Sequence, residues 1–432
     1  MKTRRFLYPL CTVLAFLAAG PSWGQPDAGV TREVAPPVEQ LVAEALGRAP
    51  SIAALRARLA AAREMVVPAG ALPDPMAELM LADIDFPKWT VGKEDMSMLG
   101  PEVRQNLLYP GKRAARRAAA RAEAEIRGTE LDQLRRQVAE TVRVLYARVY
   151  ALDKEKEALA AAGELLDMLA ATAASRYSVG EAEQEAVIKA QLEISRLGER
   201  LDDLAAERAT LVASLNRLLD QPGGSPLGEV KALSEVSPPD DEWEGRAAAN
   251  SPAVTVRQAE AAAAERRVTV AELELKPNLT AGTAIGLRGG LDPAVTFRFG
   301  VEWPLWRRQK QEPMIRAAER ELEMARAELR DAQAMARAEA ARLRAAWERA
   351  ERQVRRYRQA IIPQTSAAID AARFSYLAGR GDFSTVVEDF NFWLDARAQL
   401  AMREADRFMV WAELETLITP SAAAAAEQGD VQ

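Results

Sequence analysis

Apolar residues recur along this chain with two different periods, and each marks its own stretch. From Arg113 to Asp220 the period is helical. Leu131, Val138, Leu145, Leu152, Leu159 and Leu166 fall at steps of seven, which places them on one seam of a helix packed as in a coiled coil. No proline occurs from Arg113 to Arg176, and only Gly128 and Gly163 interrupt good helix formers. The pattern predicts one very long helix, a turn at Tyr177-Ser178-Val179-Gly180 and a helix coming back. At about 1.5 Å per residue the first of these spans roughly 95 Å. A compact domain has no use for such a helix, so it must bridge something.

The second period is two. Met76, Glu78, Met80, Ala82, Ile84 and Phe86 alternate with Ala77, Leu79, Leu81, Asp83 and Asp85. After a loop from Pro87 to Pro101, Val103, Gln105, Leu107 and Tyr109 alternate with Arg104, Asn106 and Leu108. This predicts a β-hairpin over about 76–109. The clearest alternation comes later. Leu279, Ala281, Thr283, Ile285 and Leu287 oppose Asn278, Thr280, Gly282, Ala284 and Gly286. Val295, Phe297, Phe299, Val301 and Trp303 oppose Thr296, Arg298, Gly300 and Glu302. Strands of about ten residues with one apolar and one polar or small face suit a barrel wall between lipid and water. A soluble hairpin with one buried face would show the same pattern, but no other strand-rich stretch is present to cover it.

The two halves repeat one design. Pro50 and Pro252 are 202 residues apart, as are Pro75 and Pro277. Tyr177 and Tyr376 are 199 apart, as are Gly180 and Gly379, while Pro110 and Pro304 are 194 apart because the second hairpin loop is shorter. The predicted organisation is a signal peptide over 1–24, an extended arm over 25–37, a first repeat over 38–220, a linker over 221–243, a second repeat over 244–419 and a tail over 420–432. Each repeat runs helix, hairpin (about 76–109 and 278–303), long helix, tip turn (177–181 and 376–382) and return helix. In the first repeat a helix from about Val38 to Val66 breaks at Pro50. In the second, the long helix from about Met314 to Ile361 is kinked by Pro363.

Composition narrows the chemistry. Lys2, Arg4 and Arg5 precede an apolar run from Phe6 to Ala19, the layout of an export signal. Without residues 1–24, 57 cations become 54 against 63 acids, a net charge of −9 that disfavours nucleic acid as a partner. The chain holds no histidine, and its one cysteine, Cys11, lies in the signal. Histidine acid–base catalysis, His/Cys zinc sites, cysteine nucleophiles and disulfides are therefore excluded from the mature chain. No catalytic residue, resident metal or cofactor is expected. No membrane-spanning helix is expected beyond the N-terminus.

Only helices and closed barrels satisfy their backbone in lipid. Two hairpins supply four strands, too few to close, so a barrel requires several copies. Two copies give eight strands, whose interior fills with side chains; three give twelve and leave room for water. A homotrimer is the expectation.

These features resemble the TolC family of outer-membrane efflux proteins over almost all of the mature chain. The family's tip pattern is matched by Tyr177-Ser-Val-Gly180 with Ala186-Val-Ile-Lys-Ala-Gln191, and more loosely by Tyr376-Leu-Ala-Gly379 with Thr385-Val-Val-Glu-Asp-Phe390. The resemblance implies a mainly α fold with a small β part, in which long antiparallel helices form an α-helical barrel in the periplasm. Its two β-hairpins contribute four strands to a trimeric 12-stranded transmembrane β-barrel in the outer membrane. It also implies an exit duct docked to a periplasmic adaptor and an inner-membrane RND or ABC transporter. Ala186 and Thr385 stand where the family often has aspartate. The stretch Gln105 to Arg113 resembles the barrel-to-helix crossing of the heavy-metal subgroup, similar to CusC and CzcC, although Pro110 and Gly111 also serve simply to shape a turn.

The candidate tip and gate residues are Arg176, Tyr177, Gly180, Glu181, Glu183, Tyr376, Gly379, Arg380 and Asp382. Gly180 is expected as a helix-ending residue with positive φ, and Tyr177 as packing beneath the turn. Arg176, Arg373 and Arg380 are candidates for interhelical ion pairs that hold the tip shut. Met76, Met80, Met96 and Met98 gather near the first hairpin, as apolar filler or as soft-metal ligands. Two rival functions share part of this pattern: a type I secretion duct, and a periplasmic adaptor, which would carry a β-rich domain split around its hairpin.

Overall fold

The computed structural model describes residues 33–85, 89–91, 93–181, 183–237 and 242–420. The predicted signal peptide, the first part of the predicted arm and residues 421–432 of the tail lie outside the described residues.

The first repeat opens with α1 (Val38–Arg48) and α2 (Pro50–Glu64), split where Pro50 takes the first helical position, and a short α3 (Val66–Ala69). Strands β1 (Met76–Ala82) and β2 (Met98–Leu107) follow, then α4 (Lys112–Ser178), 67 residues in one helix, and α5 (Gln184–Leu218). The second repeat comprises α6 (Trp243–Asn250), α7 (Pro252–Leu273), β3 (Asn278–Arg288), β4 (Leu291–Glu302) and α8 (Gln311–Arg356). It continues through a π-helical turn, Tyr357–Ile361, into α9 (Ile362–Leu377) and α10 (Phe383–Ile418). The π turn explains how the chain passes Pro363 without stopping. Proline lacks an N–H and its ring crowds the carbonyl four residues back, and one wider turn relieves both.

The seam read at steps of seven is the core. Leu131, Val138, Leu159 and Leu166 are buried, and Leu145 and Leu152 are partly buried. The upper core joins α1, α2, mid-α4, the end of α5 and Phe408 of α10. The lower one joins Leu159, Leu166 and Leu169 of α4 to Val386, Phe390 and Leu394 of α10. One 18-residue window of α4 is apolar enough by composition to cross a membrane. That helix nonetheless spends its apolar seam on packing within the bundle.

The predicted linker is a strap rather than a free connection. Val34 forms a parallel bridge with Glu229, and Val230 is buried among Leu227, Leu233 and Val236. Asp153 of α4, itself buried, accepts hydrogen bonds from Arg208 Nε (2.6 Å) and the backbone N–H of Val230 (2.8 Å). The arm's end and the inter-repeat segment thus belt the bundle at mid-height.

The four strands form one antiparallel sheet in the order β1-β2-β3-β4. The loop predicted from Pro87 to Pro101 is displaced towards the N-terminus: β1 ends at Ala82, before Asp83 with its positive φ, rather than near Phe86, and pairing with β1 draws Met98 to Pro101 into β2. The absent N–H of Pro101 is accommodated where the β2–β3 ladder skips Gly100 and Pro101 without losing register.

Candidate channel wall and helical tip

The registers place Ala77, Leu79, Leu81, Leu99, Val103, Leu107, Leu279, Ile285, Leu287, Val295, Phe297, Phe299 and Val301 on one face of the sheet. None of the described residues covers this face: Leu79, Val295, Phe297 and Phe299 are exposed, the last at 83%. Twelve residues of β4 at about 3.4 Å span roughly 40 Å, or about 28 Å of height at a barrel tilt near 45°. That matches the apolar band of a transmembrane barrel, about 25 Å. Trp303 continues the outward face below β4, and Trp89 stands exposed beyond the other end of the sheet.

The opposite face carries a charge ladder. Arg104 donates to Glu78 across β1 and β2 (2.8 Å) and lies 3.6 Å from Glu102. Arg298 of β4 reaches over β3 to Glu102 of β2 (3.0 Å) and donates to Met80 Sδ (3.3 Å). It can cross because β3 offers only Gly282 and Ala284 in these rows. Glu102 is buried beneath the two arginines. One face is therefore suited to lipid and the other to water. Among the described residues the outer edges of β1 and β4 are unpaired in the single chain. Met80 and Met98 lie on the polar face, with Met80 Sδ accepting from Arg298, and Met76 and Met96 stand exposed.

Where the sheet joins the bundle, Gly111 (φ 96°) makes the turn that no other residue adopts easily. The buried Lys112 then donates to Glu274 Oε2 (3.1 Å) and Asn278 Oδ1 (3.0 Å), and Arg116 donates to Glu274 Oε1 (2.7 Å). Burial alone would raise the Glu274 carboxyl. The hydrogen bonds from Arg116 and Lys112 outweigh it and hold the group below the usual carboxylate range. Sequence reasoning missed this knot. A lysine just after a Pro-Gly turn gives no sign that its partner lies 162 residues away.

At the far end both turns close on glycines with positive φ, Gly180 (74°) and Gly379 (71°). Arg176 links them. Its Nη1 donates to the Tyr376 carbonyl (2.8 Å), its guanidinium lies 5.3 Å from the Tyr376 ring centre, and Glu181 is 3.9 Å away. Tyr376 is buried against Phe383 with ring centres 5.4 Å apart. Its hydroxyl has no hydrogen-bond partner among the described residues. The expectation that Tyr177 packs beneath its turn is not met. Tyr177 is 48% exposed, because the space inside the tip is already filled by Tyr376 and Phe383. Nor do the three arginines act alike. Arg176 crosses between hairpins, Arg373 pairs within its own helix with Asp370 (3.5 Å), and Arg380 is exposed with no ion partner among the described residues. Glu183 and Asp382 occupy the N-cap positions of α5 and α10 in extended backbone, without a side-chain hydrogen bond to the helix. Lys189 adds a second crossing, donating to Ser384 Oγ (2.9 Å).

A bundle of very long helices capped by an open four-stranded sheet with one lipid-type face is the fold of TolC-like outer-membrane channels. Residues 243–419 match the family described as Outer membrane efflux protein. Over 89% of its length the chain superposes on 96% of the outer membrane protein VceC of Vibrio cholerae, with a TM-score of 0.74 and 18% identity. It superposes comparably on CusC (TM-score 0.76, 14% identity, 91% and 93% of the two chains). The open-state outer membrane channel MtrE of Neisseria gonorrhoeae gives 0.71 at 13% identity over 95% and 97%. At these identities the likeness is one of fold. No curated protein matches the chain in sequence.

Proposed function

We propose that three copies of this chain close a 12-stranded barrel in the outer membrane and a helical tube below it, forming the passive exit duct of a tripartite efflux system. The observation that carries this reading is the sheet: an uncovered apolar face, a charged inner face and two unpaired edges. Neighbouring copies satisfy the edges and lipid covers the face. A periplasmic adaptor and an inner-membrane RND or ABC pump supply the energy at the helical tip. A type I secretion duct would use the same wall. The adaptor reading is weaker, since the described strands form one exposed sheet rather than a β-rich domain around a hairpin.

The pump selects the cargo. Heavy-metal cations are favoured by the likeness of Gln105–Arg113 to that subgroup, and loss of metal tolerance without loss of dye tolerance in a deletion strain would support them. The tip is the gate of the duct: Arg176 holds the two hairpins of one protomer together, while Arg380 and Asp382 act between protomers. Arg176→Ala, and more weakly Arg380→Ala or Asp382→Ala, should raise single-channel conductance; unchanged conductance in all three would remove the gate assignment. The duct itself is tested on protein extracted from outer membranes. A trimer that dissociates on heating and conducts in planar bilayers is expected, and a soluble, non-conducting monomer refutes it.

A further inference from the structure

The two crossings from sheet to bundle are built differently. After Pro110 the chain enters α4 within two residues, and its first side chain, Lys112, is buried. After Pro304 it takes seven residues to reach α8. The extra residues form an ordered turn, in which Gln309 and Lys310 both donate to the Trp306 carbonyl (2.9 and 3.0 Å) and Glu312 donates to that of Arg307 (2.8 Å). Ordered though it is, the turn buries almost nothing. Trp303 is 65% exposed, Leu305 75% and Trp306 71%. Arg307, Arg308 and Lys310 are exposed beside them. Arg307 has one loose partner, Glu312 at 3.8 Å, and no carboxylate pairs with Arg308 or Lys310 among the described residues.

An exposed apolar cluster this size needs a partner, and its place defines which. Trp303 extends the outward row Val295, Phe297, Phe299, Val301, so the cluster continues the uncovered apolar band at its helix-proximal rim. Indole rings favour the headgroup level of a bilayer, and adjacent arginines and lysines favour phosphate there. The basic residues stand out in a chain whose net charge is negative.

We infer that the turn Trp303–Lys310 is a binding surface for anionic phospholipid, set in the leaflet that faces the helical half. It rests on the duct reading for its depth in the bilayer. Trp303 and Trp306 enter the headgroup layer, while Arg307, Arg308 and Lys310 take the phosphates of phosphatidylglycerol-type lipids. At the first crossing Lys112 is buried and Arg113 donates to the Gly70 carbonyl, so the basic residues nearest that turn are already engaged by the protein.

The test uses the full-length protein reconstituted in vesicles of phosphatidylcholine with a minor share of brominated lipid. Brominated phosphatidylglycerol should quench tryptophan fluorescence more than brominated phosphatidylcholine at equal mole fraction, by an apparent preference on the order of fivefold. The triple variant Arg307→Gln, Arg308→Gln, Lys310→Gln should quench equally with both lipids. A control with the same charge loss further along α8, Arg320→Gln, Arg330→Gln, Arg337→Gln, should keep the preference. A preference that survives the first triple variant, disappears equally in the control, or is abolished by excess inorganic phosphate at constant ionic strength overturns the inference. Conductance of the same vesicles separates the two readings. Conducting vesicles without lipid preference sink only the lipid surface, whereas non-conducting ones sink the duct.

Discussion

Tyr177 and Tyr376 hold matching places in the two repeats, yet one is 48% exposed and the other 3%. The hairpins and crossings diverge in the same way. At one level of the sheet the first hairpin presents Ala77 outward and the second Phe297, both in register with Val103 and Thr283 between them. The first crossing ends in a buried lysine and the second in exposed tryptophans. The two halves share one layout: a buried seam along each long helix, a hairpin and a glycine-closed tip. Divergence lies where a single copy of the repeat would have to do two jobs. At the tip, one tyrosine must fill the interior, so its counterpart is left at the surface.

The largest effect should come from breaking the equivalence of the two hairpins as wall. An arginine facing lipid near the midplane costs about 2–4 kcal/mol, and a trimer carries three of them. Phe297→Arg should abolish recovery of trimer from outer membranes. Ala77→Arg, at the same height on the first hairpin, should do the same despite removing almost no side chain. Thr296→Arg, one residue along and on the inner face, should assemble. If Phe297→Arg assembles as well as Thr296→Arg, the apolar face does not meet lipid.

The tips come next. Truncating a buried aromatic costs about 3–5 kcal/mol, so Tyr376→Ala should release backbone amides of the tip to hydrogen exchange. Tyr177→Ala should change protection by no more than about 0.5 kcal/mol. Equal effects would mean the two tyrosines are interchangeable.

The crossings should differ in their response to acid. Glu274 titrates below the ordinary carboxylate range because of Arg116 and Lys112. Its contribution is therefore fully present above the ordinary carboxylate pKa and is lost as pH falls through the depressed folded value. Hydrogen exchange near Gly111 should accelerate on acidification below about pH 4.3, and Glu274→Gln should make it fast at neutral pH too. The turn after Pro304 should show no step tied to Glu274.

Much of this was legible in the sequence, for reasons that differ by element. The seam of α4 was readable because Leu131 through Leu166 repeat often enough to define a face by themselves. The hairpins were readable because alternation is local. The start of β2 was not, since Met98 to Pro101 include a glycine and a proline and join the strand only through β1. The π turn gave no signal beyond Pro363. At the tip, the positive φ of Gly180 was readable because it is a property of one residue. Tyr177 was misplaced because burial depends on which of two equivalent rings claims one space. The partner of Arg176 is a backbone carbonyl 200 residues away, which side-chain identities do not encode.

The smallest difference is also the sharpest probe of the tip. Gly180 and Gly379 have nearly the same φ, so alanine at either imposes the same left-handed strain, about 1–2 kcal/mol. Their surroundings differ. A Cβ on Gly180 meets nothing within 4 Å, whereas one on Gly379 comes within 3.2 Å of Arg176 Nη2. That contact is tight, and the atom that must yield belongs to the guanidinium bonded to the Tyr376 carbonyl. Gly180→Ala should therefore loosen the tip slightly and leave its conductance alone. Gly379→Ala should loosen it equally and also shift conductance in the direction of Arg176→Ala, and combining Gly379→Ala with Arg176→Ala should add little. If Gly180→Ala and Gly379→Ala shift conductance equally, the effect is backbone strain alone, and Arg176 is a surface contact rather than the link between the hairpins.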